Sequence, residues 1–68
     1  MTLLRNLTVL AAHEFLSALR DKYPDTRFEL ECLSDGRYNV YAVGPLPQLQ
    51  SRLAAFADGW VDSVMAES

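Results

Sequence analysis

Two residues with nucleophilic chemistry, His13 and Ser17, lie four positions apart in a segment of helical period. On a helix this spacing places them one turn apart, so the imidazole is within reach of the hydroxyl. A serine hydrolase also needs an oxyanion hole, a carboxylate that orients the histidine and a substrate pocket. The sequence offers none of these parts around a solvated helical face. We therefore expect no catalytic residues and no enzymatic activity.

A pair of acidic residues, Glu29 and Glu31, occupies alternate positions in a stretch of period two. On a strand this pattern places the two carboxylates about 7 Å apart on one face. That separation is compatible with two-carboxylate chemistry, but a chain of 68 residues offers little concavity around it. We expect a solvated face, or a face that meets basic residues of a partner.

The chain has one cysteine, Cys32, and one histidine. These residues cannot form an internal disulfide or complete a tetrahedral zinc site, so no metal and no cofactor are expected. Cys32 falls on the predicted core face of a strand, where a buried thiol behaves as a small apolar group. A cysteine without a mate fits a reducing compartment, which favours a cytoplasmic protein.

Composition excludes several classes of function. Six basic and nine acidic residues give a net charge of −3, and the basic residues are scattered along the chain. Nucleic-acid binding normally needs a concentrated cationic face, so no nucleic-acid partner is expected. No apolar run approaches the roughly 20 residues of a transmembrane helix, and no signal-peptide pattern is visible, so no membrane partner is expected.

The pattern predicts one α+β domain over residues 1–68, in which a β-hairpin lies between two amphipathic helices (α-β-β-α, two layers). The first helix begins after an N-cap at Thr8 and ends before Pro24. The second helix begins near Pro47, and residues 1–7 are assigned to a short leader. Gly59 lies inside the second helical pattern, where it marks a close backbone approach, a bend, the end of a first helical piece or a tolerated glycine.

The hairpin, residues 27–43, has two candidate registers. A two-residue Asp35-Gly36 turn pairs Leu33 with Tyr38, whereas a three-residue loop with a left-handed Gly36 pairs Leu33 with Arg37. We favour the loop, because it keeps Asn39 off the core and places Phe28, Leu30 and Cys32 on one face with Tyr38, Val40 and Ala42. A shift of one residue would exchange the two faces.

In the favoured register the outer face of the hairpin carries apolar residues beside charged ones. Scattered exposed apolar residues are common, but the arrangement also has the anatomy of a protein interface. Trp60, which is most often a core residue in a small protein, is the other candidate anchor. The candidate interface residues are Glu29, Glu31, Leu33, Tyr41, Val43 and Trp60.

Small size favours association, because apolar burial and chain entropy nearly cancel in domains of this length. We expect a homo-oligomer, such as a dimer in which two hairpins form a four-stranded sheet. The leading hypothesis for function is a non-enzymatic module that binds a protein of unknown identity, as an inhibitor or adaptor. Size and acidity resemble the genre of phage- and prophage-encoded proteins that bind host machinery. The alternative is a homo-oligomeric assembly protein with no separate target.

Overall fold

A computed structural model describes the backbone of residues 1–67 and the side-chain surroundings of residues 1–64. The elements follow the order β1 (Thr2–Leu7), α1 (Val9–Lys22), β2 (Phe28–Cys32), β3 (Tyr38–Ala42) and α2 (Pro47–Glu67). The strands form one antiparallel sheet in the order β1-β3-β2. The predicted α+β class and the helix–hairpin–helix order are therefore confirmed, with one strand added in front.

The hairpin adopts the three-residue loop. The N–H of Leu33 donates to the carbonyl of Arg37 at 2.7 Å, and Gly36 has a φ of 82°. That φ lies in the left-handed region, which glycine adopts without the steric cost of a Cβ atom. Cys32 pairs with Tyr38, and the register continues without a shift to the other end of the hairpin. The favoured register and its two faces are confirmed.

The assignment of residues 1–7 to a leader is wrong, because Thr2–Leu7 forms an edge strand on β3. Thr2 pairs with Tyr41, Leu4 with Val40 and Leu7 with Tyr38, and the register shifts twice between these pairs. Each shift inserts an extra residue into β1, as in a β-bulge. The sheet therefore has three strands within one chain, and edge-to-edge pairing of two copies would give six strands rather than four.

The first helix begins and ends for local reasons, and the second continues through its one glycine. The hydroxyl of Thr8 accepts a hydrogen bond from the N–H of Ala11 at 3.3 Å, which confirms the predicted N-cap of α1. Tyr23 closes this helix through its N–H, ahead of Pro24. The second helix, α2, continues through Gly59, and no atom of the described residues lies within 4 Å of the position that a Cβ would take there. The glycine therefore marks neither a close approach nor a helix end.

One apolar core lies between the sheet and the two helices. Its buried residues come from both helices and from the inner face of the hairpin: Ala12, Phe15, Leu16, Leu19, Phe28, Val40, Ala42, Leu53 and Ala57. The ring of Phe15 lies 5.0 Å from that of Trp60 and 6.1 Å from that of Phe56, and Tyr23 meets Phe56 edge-on. Since Tyr23 meets the earlier part of α2 and Phe15 the later part, the helices run antiparallel.

The expectation that Cys32 is buried is wrong. Its side chain points to the predicted inner face but is exposed, because it is the last residue of β2. Val64 likewise lies on the apolar stripe of α2 and is 43% exposed. Neither α1 nor α2, over the residues described, combines the length and apolar character of a membrane-spanning helix.

Candidate protein interface

The two helices cover the same face of the sheet, so no helix of residues 1–67 lies on the opposite face. We call this the outer face. It presents the side chains that alternate with the buried ones along the hairpin: Glu29, Glu31, Leu33, Arg37, Asn39, Tyr41 and Val43. The strand alternation that puts Phe28 and Val40 into the core directs these residues outward. The sequence thus positions the outer face by the same pattern that forms the core.

Glu29 is held from two sides on the outer face. The hydroxyl of Tyr41, its cross-strand partner, donates to Oε2 at 3.0 Å, and Arg27 Nη2 lies 3.1 Å from Oε1. The hydrogen bond to Glu29 raises the pKa of Tyr41 above its ordinary 10.0, and the negative charge of the carboxylate adds to the shift. The phenol therefore stays protonated at neutral pH and its ring is fixed over the sheet.

A second network joins β2 to the edge strand β1. Asn39 Nδ2 donates to Glu31 Oε1 at 2.8 Å, and Asn39 Oδ1 accepts from the N–H of Asn6 at 3.0 Å. The carbonyl of Asn6 accepts from Arg37 Nη1 at 3.2 Å. Among the described residues, Glu31 forms no ion pair, whereas Glu29 is paired with Arg27. Glu31 is thus the carboxylate whose charge is least compensated on this face.

Apolar surface borders the polar networks. Val43 is 41% exposed at the end of the hairpin that is far from the turn, and Leu33 is half-buried beside the turn. Next to Val43 lies an open groove of about 350 Å³. Its walls are formed by the segment before β2 and by the connector into α2: Asp25, Thr26, Arg27, Val43, Gly44, Pro45, Leu46 and Leu49. Leu46 is 61% exposed there, so the groove has an exposed apolar side chain in the same wall as Pro45 and opposite Arg27 in the lining.

Five of the six sequence-predicted interface residues share the outer face, and Trp60 does not. Trp60 is half-buried in the helical layer, where its ring packs on Phe15. The sheet separates it from Tyr41. Trp60 therefore belongs to the core packing of α2, and an interface on the outer face does not include it.

The residues considered for catalysis are not assembled into a site. His13 and Ser17 both lie on the exposed side of α1, away from the groove beside Val43. Across the residues described, no group of three His, Cys, Asp or Glu side chains is arranged to hold a metal ion. The exposed thiol of Cys32 lies 3.6 Å from the carbonyl of Leu33.

Sequence reasoning missed the contribution of β1 to the outer face. Asn6 is linked to the face through Asn39 and Arg37, and Thr2 lies opposite Tyr41. The sequence pattern of β1 is a weak indication of a strand, because the two register shifts remove the alternation of apolar and polar residues that identifies one. The positive φ of Asn6, 61°, fits the tolerance of asparagine for the left-handed region, and an asparagine at this point was the available hint.

No protein-family model, curated protein or solved structure matches this chain significantly.

Proposed function

We propose that this protein is a non-enzymatic protein-binding module, an inhibitor or adaptor, that contacts its partner through the outer face. One observation carries the proposal: both helices pack on the inner face, so the outer face is left open with its polar side chains already ordered. Side chains that are fixed before binding lose little conformational entropy in a complex. Tyrosine with a polar surround is also a frequent anchor in protein interfaces.

The charge of the outer face favours a basic partner surface. Glu29 and Glu31 lie on the strand next to Tyr41, and the chain has a net charge of −3. This face lacks the concentrated positive charge that binds phosphate backbones, so the partner is a protein rather than a nucleic acid. A cytoplasmic location accompanies the proposal, since an exposed cysteine with no mate in the chain suits a reducing compartment.

Affinity capture with matched variants tests the proposal. Immobilised wild-type protein and His13→Ala, whose change lies on exposed α1, should retain the same lysate protein in stoichiometric amount. Tyr41→Ala should weaken its binding by roughly 1 to 3 kcal/mol, and Glu31→Lys should slow association, while circular dichroism shows both folded. If the wild type and all three variants retained the lysate protein equally, the interface would not lie on the outer face. An oligomer in light scattering, with no retained protein, would favour the alternative of a self-assembling protein.

A further inference from the structure

The two edges of the sheet differ in their readiness to accept another strand. β1 is interrupted by two register shifts, and its residue Asn6 has a positive φ. The outer edge of β1 is therefore irregular. Bulges of this kind discourage strand addition. β2 pairs with β3 through five consecutive residues without a shift. In the part of the chain that the structure describes, the sheet order β1-β3-β2 leaves the other side of β2 without a strand, so β2 is the regular free edge.

The hydrogen-bond pattern identifies the backbone groups at this edge. The N–H of Leu33 donates to Arg37, and the N–H of Val43 donates to the carbonyl of Arg27, at 2.7 and 2.9 Å. Because hydrogen-bonded pairs alternate along an antiparallel ladder, the odd-numbered residues from 27 to 33 bond to β3. The N–H and C=O groups of the three even-numbered residues therefore point away from the sheet: Phe28, Leu30 and Cys32.

Charge decides which strand fits this edge. If a second copy paired with β2 antiparallel and in full overlap, Leu30 would lie opposite its own symmetry mate. Glu29 would then lie opposite Glu31 of the second copy, and Glu31 opposite Glu29. Like charges in directly opposite positions destabilise a strand pair. A strand with basic residues at these two positions would instead form two opposite-charge pairs.

We propose that the free edge of β2 binds an extended basic segment of the partner protein as an added antiparallel strand. Lysine or arginine lies opposite Glu29 and Glu31 on the outer face. The residues between them are apolar, because they lie beside half-buried Leu30 on the inner face. The backbone hydrogen bonds between β2 and the added strand supply affinity, and the alternation of basic and apolar side chains in that strand supplies specificity. This inference rests on the proposed protein-binding function and names the chemistry of the partner.

A synthetic peptide tests the proposed strand. The probe is a capped pentapeptide that alternates valine and lysine, with valine at both ends, and binding is followed by NMR on isotope-labelled full-length protein. Addition should protect the amide protons of Phe28, Leu30 and Cys32 from exchange and leave those of β1 unchanged. A peptide of the same composition without alternation, or with glutamate in place of lysine, should bind at least about tenfold more weakly.

N-methylation separates strand addition from simple charge attraction. The amide of the central valine should face β2, so its methylation should abolish binding, whereas methylation of a lysine amide that faces outward should be tolerated. Glu31→Gln should lower affinity about two- to fivefold at low salt, and Asp58→Asn on exposed α2 should leave it unchanged. Equal binding of the two methylated peptides would overturn the inference.

The outcomes for the inference and for the proposed function are distinguishable. If Tyr41→Ala abolishes capture of a lysate protein but the alternating peptide does not bind, the function stands and the strand-addition inference fails. If the pure protein is a dimer whose Leu30 amide is already protected, a second copy occupies the edge and the inference also fails. Peptide binding with the expected methylation pattern supports the inference whether or not the lysate contains the partner.

Discussion

Tyr41 and Glu29 face each other on neighbouring strands, and the phenol donates a 3.0 Å hydrogen bond to the carboxylate. The contact links the central strand β3 to the edge strand β2 on the outer face. It also places a titratable proton between the two residues, because loss of that proton would leave two negative charges side by side. Folding stability and the state of the outer face are therefore both coupled to the protonation of Tyr41.

We predict that the protein loses stability as the pH rises through the folded-state pKa of Tyr41. This pKa is raised above 10.0 mainly by the hydrogen bond to Glu29. The neutral phenol is thus favoured by folding, and its contribution is fully present below pH 10.0 and is lost as the phenol ionises in the folded protein. Denaturant unfolding in buffers on both sides of this pH should show a steeper decline for the wild type than for Tyr41→Phe.

Tyr38 provides an internal comparison for this experiment. Its pKa is also raised, mainly through its electrostatic interaction with Cys32 opposite it. Ionisation of Tyr38 should therefore make its own contribution to the loss of stability at high pH, and Tyr38→Phe should remove it. Cys32→Ser should change the contribution of Tyr38 and leave the contribution of Tyr41 unchanged. Parallel curves for the wild type and Tyr41→Phe would show that the Tyr41–Glu29 contact has no energetic coupling to folding.

Two glycines should respond to alanine with opposite signs. Gly59 lies inside α2 with no atom within 4 Å of an added Cβ, so Gly59→Ala should stabilise the protein by up to about 1 kcal/mol. Gly36 is equally uncrowded but has a φ of 82°, so Gly36→Ala should cost about 1 to 2 kcal/mol. Thermal unfolding of both variants checks the pair. A gain at both positions would contradict the left-handed turn.

The hairpin and the helices were predictable because their signals are local. Thr8 and Pro24 mark helix limits through backbone chemistry, and the alternation around Leu30 fixes which residues face the core. β1 was not predictable in this way. Leu3 and Leu4 are adjacent and both pack against the core, so no period of two is visible in the strand. Its formation depends on pairing with β3, which lies more than thirty residues away in the chain.

The degree to which a side chain is buried was less predictable than the face of the sheet on which it lies. The period of β2 correctly places Cys32 on the inner face, but period does not reveal how far the helices extend over the end of a strand. Within the candidate interface, the hairpin residues on the outer face could be predicted from the register alone. The position of Trp60 could not, because residue type cannot distinguish a core aromatic from an interface anchor, and its packing on Phe15 in the helical layer is seen only in the structure.

Phe15→Ala should be among the most damaging single substitutions. The side chain is fully buried and contacts the rings of Phe56 and Trp60, so it joins α1 to α2. Removing a buried phenylalanine typically costs about 3 to 5 kcal/mol. Val9→Ala on the same helix is the matched control, since Val9 is 51% exposed and should change stability by no more than about 0.5 kcal/mol. Denaturant titration measures both, and Phe15→Leu supplies a folded variant if Phe15→Ala does not fold.

Asn6 should tolerate glycine better than alanine. Its φ of 61° lies in the left-handed region, and its backbone N–H and C=O bond to the side chains of Asn39 and Arg37. Asn6→Gly keeps these bonds and relieves the backbone, so we expect unchanged or slightly raised stability. Asn6→Ala keeps the bonds but lacks the local tolerance of asparagine, and it should cost about 1 kcal/mol.

A double-mutant cycle shows whether this strain is linked to the outer face. Asn39→Ala removes the acceptor of the Asn6 N–H and the donor to Glu31, so it should destabilise the attachment of β1 by about 1 kcal/mol. With that acceptor gone, β1 is held less firmly at Asn6, and the additional cost of Asn6→Ala should be smaller than in the wild type. Strictly additive costs in thermal unfolding would show that the bulge and the Asn39 network act independently.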